Sequence, residues 1–353
     1  MISRLLGIAL LAAGCQADPF MPPEPARLFQ QHCASLAQAA AQQAELAVVG
    51  QDGWLFLSAE LRHLGAGIFW GSRAAQVSQA RRPQEADPLP AILDFHAQLN
   101  KLGIELLIVP VPPKALIYPE QLPAGPLPMD GAPQRLDAEQ QAFYSLLSAQ
   151  GLRLLDLTPL FLANRCQADG ALYCRQDSHW SGKACVLAAQ RIAEAVRALP
   201  GYSPTDGPAW TSAWHTLEIS GDLWLSLPAA ARPEKERIRV RRISRLDGAQ
   251  PATTDQSSPF ILLGDSHNLI FHAGADMQTS SAGLADQLAL EMGQAVDLVA
   301  VRGSGSTPAR INLLRRAQKN ADYWQPKRVV IWCFAAREFT TSDGWRKVPI
   351  TPP

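Results

Sequence analysis

Runs of consecutive apolar residues alternate along this chain with segments whose apolar positions recur at helical spacing. Ile104–Val111 (IELLIVPV), Phe260–Leu263, Val296–Val301 and Arg328–Phe334 read as strands covered on both faces, with a shorter strand at Leu152–Leu157. Between them, helical periods mark 24–47, Leu89–Leu102, 138–150, Leu284–Gly293 and 308–320. Ser181 is placed as the N-cap of an Ala-rich helix running to about Leu199. Buried strands in alternation with amphipathic helices predict a mostly parallel sheet with helices on both faces, a three-layer α/β sandwich. The stretches 125–134, 203–213 and 244–258 are polar or rich in Pro and Gly and read as irregular insertions; none looks like a linker to a second core.

The first residues carry a different pattern. Arg4 precedes the apolar stretch Leu5–Ala13, and small residues lead to Cys15, the order of an export signal. A nine-residue apolar helix covers about 13 Å, short of a bilayer's roughly 30 Å hydrocarbon core. Leu11-Ala12-Ala13-Gly14-Cys15 resembles a lipoprotein box, with Cys15 as the lipidated first residue of the mature chain; the alternative is an ordinary cleaved signal. Either reading puts the protein outside the cytoplasm. The expected organisation is a signal at 1–15, a Pro-rich tether at 16–26, one folded domain at 27–345 and a tail at 346–353.

Composition narrows the classes. The 353 residues carry 32 Lys+Arg against 32 Asp+Glu, which excludes the basic excess of a nucleic-acid binder and any broad electrostatic capture of an acidic polymer. In an oxidising compartment the six cysteines invite pairing, and Cys166 and Cys174, flanking a short loop, are the expected bridge. Cys333 sits in an apolar run and reads as a buried small hydrophobe. There is no Cys-x-x-Cys, and His267 and His272 lie near Ser266 without the spacing of a metal site, so no metal is expected. No cofactor is expected either.

Two segments carry chemistry. Phe260–Leu263 runs into Gly264-Asp265-Ser266, which sets Ser266 at the carboxyl edge of the sheet, where open α/β sheets bind ligands. Asp177 and His179, two positions apart in an extended segment, project to one side, so the carboxylate reaches imidazole Nδ1 and leaves Nε2 for a serine hydroxyl. Together they propose Ser266 as nucleophile, His179 as base and Asp177 as orienting group. The Gly-rich turn Arg302-Gly303-Ser304-Gly305-Ser306 offers backbone N–H groups for an oxyanion, with Ser266, Gly303 and Gly305 as candidates. Among nine Trp, Trp180 is a candidate for stacking on sugar rings, whereas Trp54 and Trp332 read as core. Lys114, Arg302, Arg310 and Arg337 are candidate carboxylate ligands, each also readable as a structural ion.

The order Asp-x-His before Ser resembles the alginate O-acetyltransferase (AlgJ/AlgX-like) family, whose fold is SGNH-hydrolase-like. The resemblance rests on Gly50-Gln-Asp-Gly-Trp54-Leu-Phe-Leu57 with Glu60-Leu-Arg62, Val109-Pro-Val-Pro-Pro-Lys114 through Tyr118-Pro-Glu120, Asp177-Ser-His179-Trp180, Gly221-Asp222-Leu223, Gly264-Asp265-Ser266 and Ile331-Trp332 through Arg337-Glu338. It implies an exported enzyme that moves acetyl from a membrane-bound O-acyltransferase to an exopolysaccharide, beside other secretion proteins. With little sequence beyond Glu338, it implies the shorter AlgJ-type form without the carbohydrate-binding module of AlgX-type members. An acetyl-esterase and a non-catalytic scaffold of the secretion complex are the alternative readings.

Overall fold

The computed structural model describes residues 22–125, 134–166, 169–200, 202, 209–247 and 253–351. The export segment and Cys15 lie outside these residues. Two short strands come first, β1 (Ala47–Val49) and β2 (Leu55–Leu57), paired antiparallel. The main sheet is built from β3 (Glu105–Val111) and β4 (Arg153–Leu154), followed after an insertion by β7 (Phe260–Gly264), β8 (Asp297–Ala300) and β9 (Val329–Ala335). The insertion holds β5 (Trp210–Glu218) and β6 (Arg237–Arg245), an antiparallel pair apart from the main sheet.

The five-stranded sheet has the order β4-β3-β9-β7-β8, and every neighbouring pair is parallel. The apolar runs form such strands because both of their faces are covered. On β9, Val329, Ile331 and Cys333 enter one core and Val330, Trp332 and Phe334 the other; on β3, Leu107 and Val109 oppose Leu106 and Ile108 in the same way. Helices Glu24–Gln42, Gly182–Arg197 and Leu284–Met292 cover the first face, and Pro88–Lys101, Ala138–Ala149 and Thr307–Gln318 the second. The α/β three-layer sandwich expected from the pattern is the observed fold. Ser181 caps its helix as predicted, its side chain accepting the Ala184 N–H.

Three expectations are corrected. The stretches 203–213 and 244–258 are not wholly loop: strands β5 and β6 occupy 210–218 and 237–245. Strand β5 shows almost no apolar alternation because seven of its nine residues are exposed, and its pairing with β6 holds it extended. Strand β4 is only two residues long rather than six. The Cys166–Cys174 bridge is not formed: both thiols are free, Cys166 is exposed, and the buried Cys174 turns its Sγ to the carbonyl of Trp180, 3.6 Å away.

Strands β7 and β9 come unusually close where β7 ends. A Cβ at Gly264 would lie 1.7 Å from the backbone oxygen of Cys333 and 2.4 Å from Asn268 Nδ2, so only glycine fits. We expect Gly264→Ala to cost at least about 1–3 kcal/mol, the usual range for overpacking, read as a lowered Tm. An unchanged melt would mean that the two strands have slack to separate.

Candidate active site

The carboxyl ends of four strands converge. Strand β3 leads to Lys114, β7 to Ser266, β8 to Arg302 and Gly303, and β9 to Arg337. Strand β9 lies between β3 and β7, whose chains continue to opposite edges of the sheet, which is where a doubly wound sheet opens its ligand crevice. A cavity of about 620 Å³ fills this place, and Asp177, His179, Ser266, Gln278, Gly303 and Arg337 are on its wall.

Ser266 opens a single 3-10 turn, Ser266–Asn268. Asp265 secures it by accepting the N–H of His267 through Oδ1 (2.9 Å) and the N–H of Ala335 through Oδ2 (2.7 Å), so one carboxylate ties β7's end to β9. His179 comes from the extended segment before the helix Gly182–Arg197. Lys114 holds that segment from below: its buried ammonium donates to the carbonyls of Asp177 (2.6 Å), Leu55 (2.8 Å) and Arg175 (3.4 Å). From the side, Asp222 accepts the N–H of Ser178 (2.7 Å), and Gly221 packs so closely on Gln176 that a Cβ would lie 2.1 Å from its carbonyl oxygen.

The three side chains form one hydrogen-bonded line. Asp177 Oδ1 lies 2.6 Å from His179 Nδ1, and His179 Nε2 lies 2.7 Å from Ser266 Oγ. An ionised carboxylate only accepts, so Nδ1 carries the proton and Nε2 accepts from the hydroxyl. Burial would raise Asp177, but the imidazole's charge and hydrogen bonds outweigh it and hold the carboxyl at about 2. Burial would lower His179, and the Asp177 carboxylate reverses this, leaving the imidazole above its ordinary 6.5. This arrangement suits proton transfer from a serine hydroxyl and stabilisation of the resulting imidazolium.

The other predicted residues are placed unevenly. Trp180 is fully buried, donating its indole N–H to the carbonyl of His267 (3.1 Å), so it is a wall behind the site and not a sugar platform. Arg302 is exposed at the rim and paired with Asp276 (2.7 Å). Gly303 lines the cavity at φ +88°, whereas Gly305 is packed behind Asp265 and Phe334 and does not line it. Arg310 is buried beneath Trp332 and Trp345, far from a role as a surface ligand. Trp54 and Trp332 are core, as expected.

Sequence reasoning missed the partners. Gln278, at φ +72°, donates to Asp177 Oδ2 (3.3 Å) and to the carbonyl of Ser220 (3.0 Å). It belongs to a loop with three further non-glycine residues in the left-handed region, Phe271, Ala275 and Ser281, a form of strain common beside functional sites. Glu60 and Asp222 lay inside quoted motifs, but nothing in their spacing told that they reach the site. The His267 ring lies 4.8 Å from that of His179 at a steep tilt, and burial brings it down to about 4 despite Asp265. His272 is taken by Asp286. Ligand atoms of Asp177, His179 and Asp222 lie within 4.8 Å of one another, but N–H groups of His179, Ser178 and Leu223 already occupy these carboxylates, which makes the set a hydrogen-bonded array more than a cation cage.

The parallel sheet, a serine directly after a central strand, and an Asp-x-His segment facing it define an SGNH-hydrolase-like protein. Residues 47–336 match the family described as SGNH hydrolase-like domain, acetyltransferase AlgX. The chain belongs to this acetyltransferase family. It is 25% identical over 299 residues to the probable alginate O-acetylase AlgJ of Pseudomonas syringae pv. tomato, covering 82% of this chain and 68% of that protein. The Pseudomonas aeruginosa protein of the same name is 25% identical over 298 residues, 82% and 69% of the two chains. In fold, the chain is similar to the O-acetyltransferase domain of Pseudomonas putida AlgJ, with a TM-score of 0.61 and 23% identity over 83% of this chain and 92% of that one. It is also similar to Pseudomonas aeruginosa AlgX, with a TM-score of 0.56 and 20% identity over 82% and 62%. Among the described residues, no helix is long and apolar enough to cross a membrane.

One group beside the site ties stability to pH. Glu338, 2% exposed, accepts from Ser304 in the Gly303 turn (2.6 Å). Burial, and then the nearby Asp265 charge, raise it from 4.5 to about 7 against that hydrogen bond and the Arg337 charge. Between these values the folded chain keeps a proton that the unfolded chain has released, so stability falls as pH rises through the window. Glu338→Gln is expected to melt above the wild type at pH 8 and level with it at pH 5; equal melts at pH 8 would refute the buried charge.

Proposed function

We propose that this chain is an exported O-acetyltransferase that carries acetyl on Ser266 and delivers it to hydroxyls of an exopolysaccharide. The observation that supports it is the Asp177–His179–Ser266 line, at 2.6 and 2.7 Å, opening into a cavity at the sheet's carboxyl edge. Family membership supports the acetyl group as cargo. The names of the AlgJ relatives support a glycan acceptor.

In this reading Ser266 Oγ attacks the acetyl carbonyl while its proton passes to His179 Nε2, and Asp177 stabilises the imidazolium. The tetrahedral adduct collapses as His179 protonates the leaving group. A glycan hydroxyl, deprotonated by the same nitrogen, then attacks the acetyl ester and regenerates the serine. The backbone N–H groups of Ser266 and Gly303 face the oxyanion, and Arg302 at the rim meets the polymer. The donor is a membrane-bound O-acyltransferase working with other exopolysaccharide-secretion proteins. Residues 1–15 direct the chain to the periplasm with Cys15 as lipid anchor, and the Pro-rich stretch after it tethers the chain. The catalytic domain reaches beyond the expected 27–345, because helix Glu24–Gln42 begins inside the expected tether with Ala26 buried, and Val348 and Ile350 of the expected tail 346–353 are buried, Ile350 in the core.

The test is acetyl transfer from a chromogenic acetyl ester to an oligosaccharide, read by mass spectrometry. Ser266→Ala is expected to abolish both acetylated sugar and ester cleavage; transfer that persists unchanged would sink the proposal. Acetate release without acetylated sugar would make the chain an esterase. Because His179 works as the neutral base and its pKa is raised, the acid limb of activity is expected above pH 6.5. Asp177→Asn removes the charge that raises it, so the limb moves to lower pH while the rate falls by about 10²–10⁴-fold.

A further inference from the structure

Arg337 follows directly on β9 and lines the cavity with Ser266 and His179. It is 9% exposed, and its nearest carboxylate, Glu60 Oε1, lies 3.7 Å from Nη1, beyond hydrogen-bond length. Nη1 is enclosed without a hydrogen-bond partner. Among the described residues, the other deeply buried cations are all satisfied by backbone carbonyls: Lys114 by Leu55 and Asp177, Lys183 by Gly170, Arg310 by Ser306, and Lys327 by Gln256 and Ser258. Arg337 is the exception, and it is the one that borders the nucleophile. A guanidinium carries five donors, and each buried donor left unmade costs about 1–3 kcal/mol. The orphaned Nη1 is turned to Glu60, while the side chain as a whole lines the cavity with Ser266, so a buried cation borders the place where negative charge develops on an acyl group.

Glu60 holds this cation from behind. Its Oε2 accepts the backbone N–H of Lys114 (2.8 Å), so the pair is anchored to the carboxyl end of β3. Backbone donors are few on the opposite side. The Ser266 N–H, first in its turn, has no acceptor within that turn; Gly303 is exposed at the rim, and Gly305 is outside the cavity.

We propose that Arg337 completes the oxyanion hole, its N–H groups donating beside the Ser266 N–H to the acetyl oxygen in both tetrahedral intermediates. This rests on the acyl-serine reading above. As the Oγ–C bond forms and the hydroxyl proton moves to His179, the carbonyl π pair settles on the oxygen facing Arg337. The pair returns when the C–O bond to the leaving group breaks and His179 gives that group its proton. The guanidinium neither gains nor loses a proton. Its contribution is greatest when the oxygen is charged, the condition for lowering a barrier rather than only tightening binding.

The test compares wild type, Arg337→Gln, Arg337→Lys and the double variant Glu60→Gln/Arg337→Gln, which removes both members of the pair. Two readouts use uncharged reagents: hydrolysis of 4-nitrophenyl acetate and the rate at which a neutral fluorophosphonate modifies Ser266. Arg337→Gln is expected to lower kcat and the modification rate by about 10²–10³-fold with KM nearly unchanged. Arg337→Lys recovers part of the loss, and the double variant stays as slow as Arg337→Gln. The inference is overturned if the neutral reagents react at wild-type rates while only KM for a uronate oligosaccharide rises, because Arg337 would then seat an acceptor carboxylate. It is equally overturned if the double variant regains full rate, since the cation would then serve only to neutralise Glu60. Wild type left unmodified at Ser266 would instead remove the acyl-serine reading itself.

Discussion

The close contact between the ends of β7 and β9 is the constraint from which the site follows. With only a hydrogen where other residues carry Cβ, Gly264 lies against the carbonyl of Cys333, and Asn268 Nδ2 donates to the same carbonyl (2.8 Å). Asp265 bridges the two strands through the Ala335 N–H. The chain therefore turns at Ser266 beside the strand that ends at Ala335, two residues before Arg337. A wider spacing would separate the serine from the cation and leave the aspartate without its second partner. Backbone geometry, and no single catalytic side chain, sets the register of the site.

Beneath this contact lies an unusual concentration of buried charge. Lys114 binds three carbonyls under the Asp177 segment, and Glu60 sits between Lys114 and Arg337. Charges taken out of water interact strongly, and they survive only where geometry satisfies them. Here, the imidazole beside Asp177 and then the Lys114 ammonium beneath it keep its carboxylate ionised at depth, while Trp180 and His267 close the wall behind it. Burial lowers His267 so that it stays neutral next to His179, which leaves His179 as the imidazole able to take a proton near neutral pH. Two adjacent histidines are pulled apart in pKa by their surroundings, and that assigns them different work.

Much of the fold was legible because its strands are covered on both faces. Buried parallel strands such as Ile104–Val111 write themselves as unbroken apolar runs, and helices between them keep a 3.6-residue period. The pair β5–β6 lacked both signals, since β5 is exposed along most of its length and is held by its partner. Trp180 illustrates a different failure. An indole beside a catalytic-looking histidine suits sugar stacking and core packing equally in sequence, and only the carbonyl of His267 above it settles the matter. Arg310 could be read either as a ligand or as a structural ion, and its structural role is decided by three aromatic rings from distant segments that enclose it. The cysteines 166 and 174 were paired on closeness along the chain, which does not fix where two Cβ vectors point.

Local chemistry, then, is what the order of residues established: a strand stopping at Gly-Asp-Ser, an Asp two positions before a His, and a capped helix after it. Each depends on contacts within a few residues, where covalent geometry leaves little choice. Which groups face them across space was decided by packing. Glu60, Gln278 and Arg337 are separated from Ser266 by between 12 and 206 residues of chain, yet they are gathered around the triad by strands that end at one edge. The roles of a buried ion depend on the acceptors it meets and those it lacks, and no linear spacing encodes that distinction. Arg310 and Arg337 are alike in the sequence; one is satisfied within the fold, and the other keeps a nitrogen without a partner and lines the cavity with the serine.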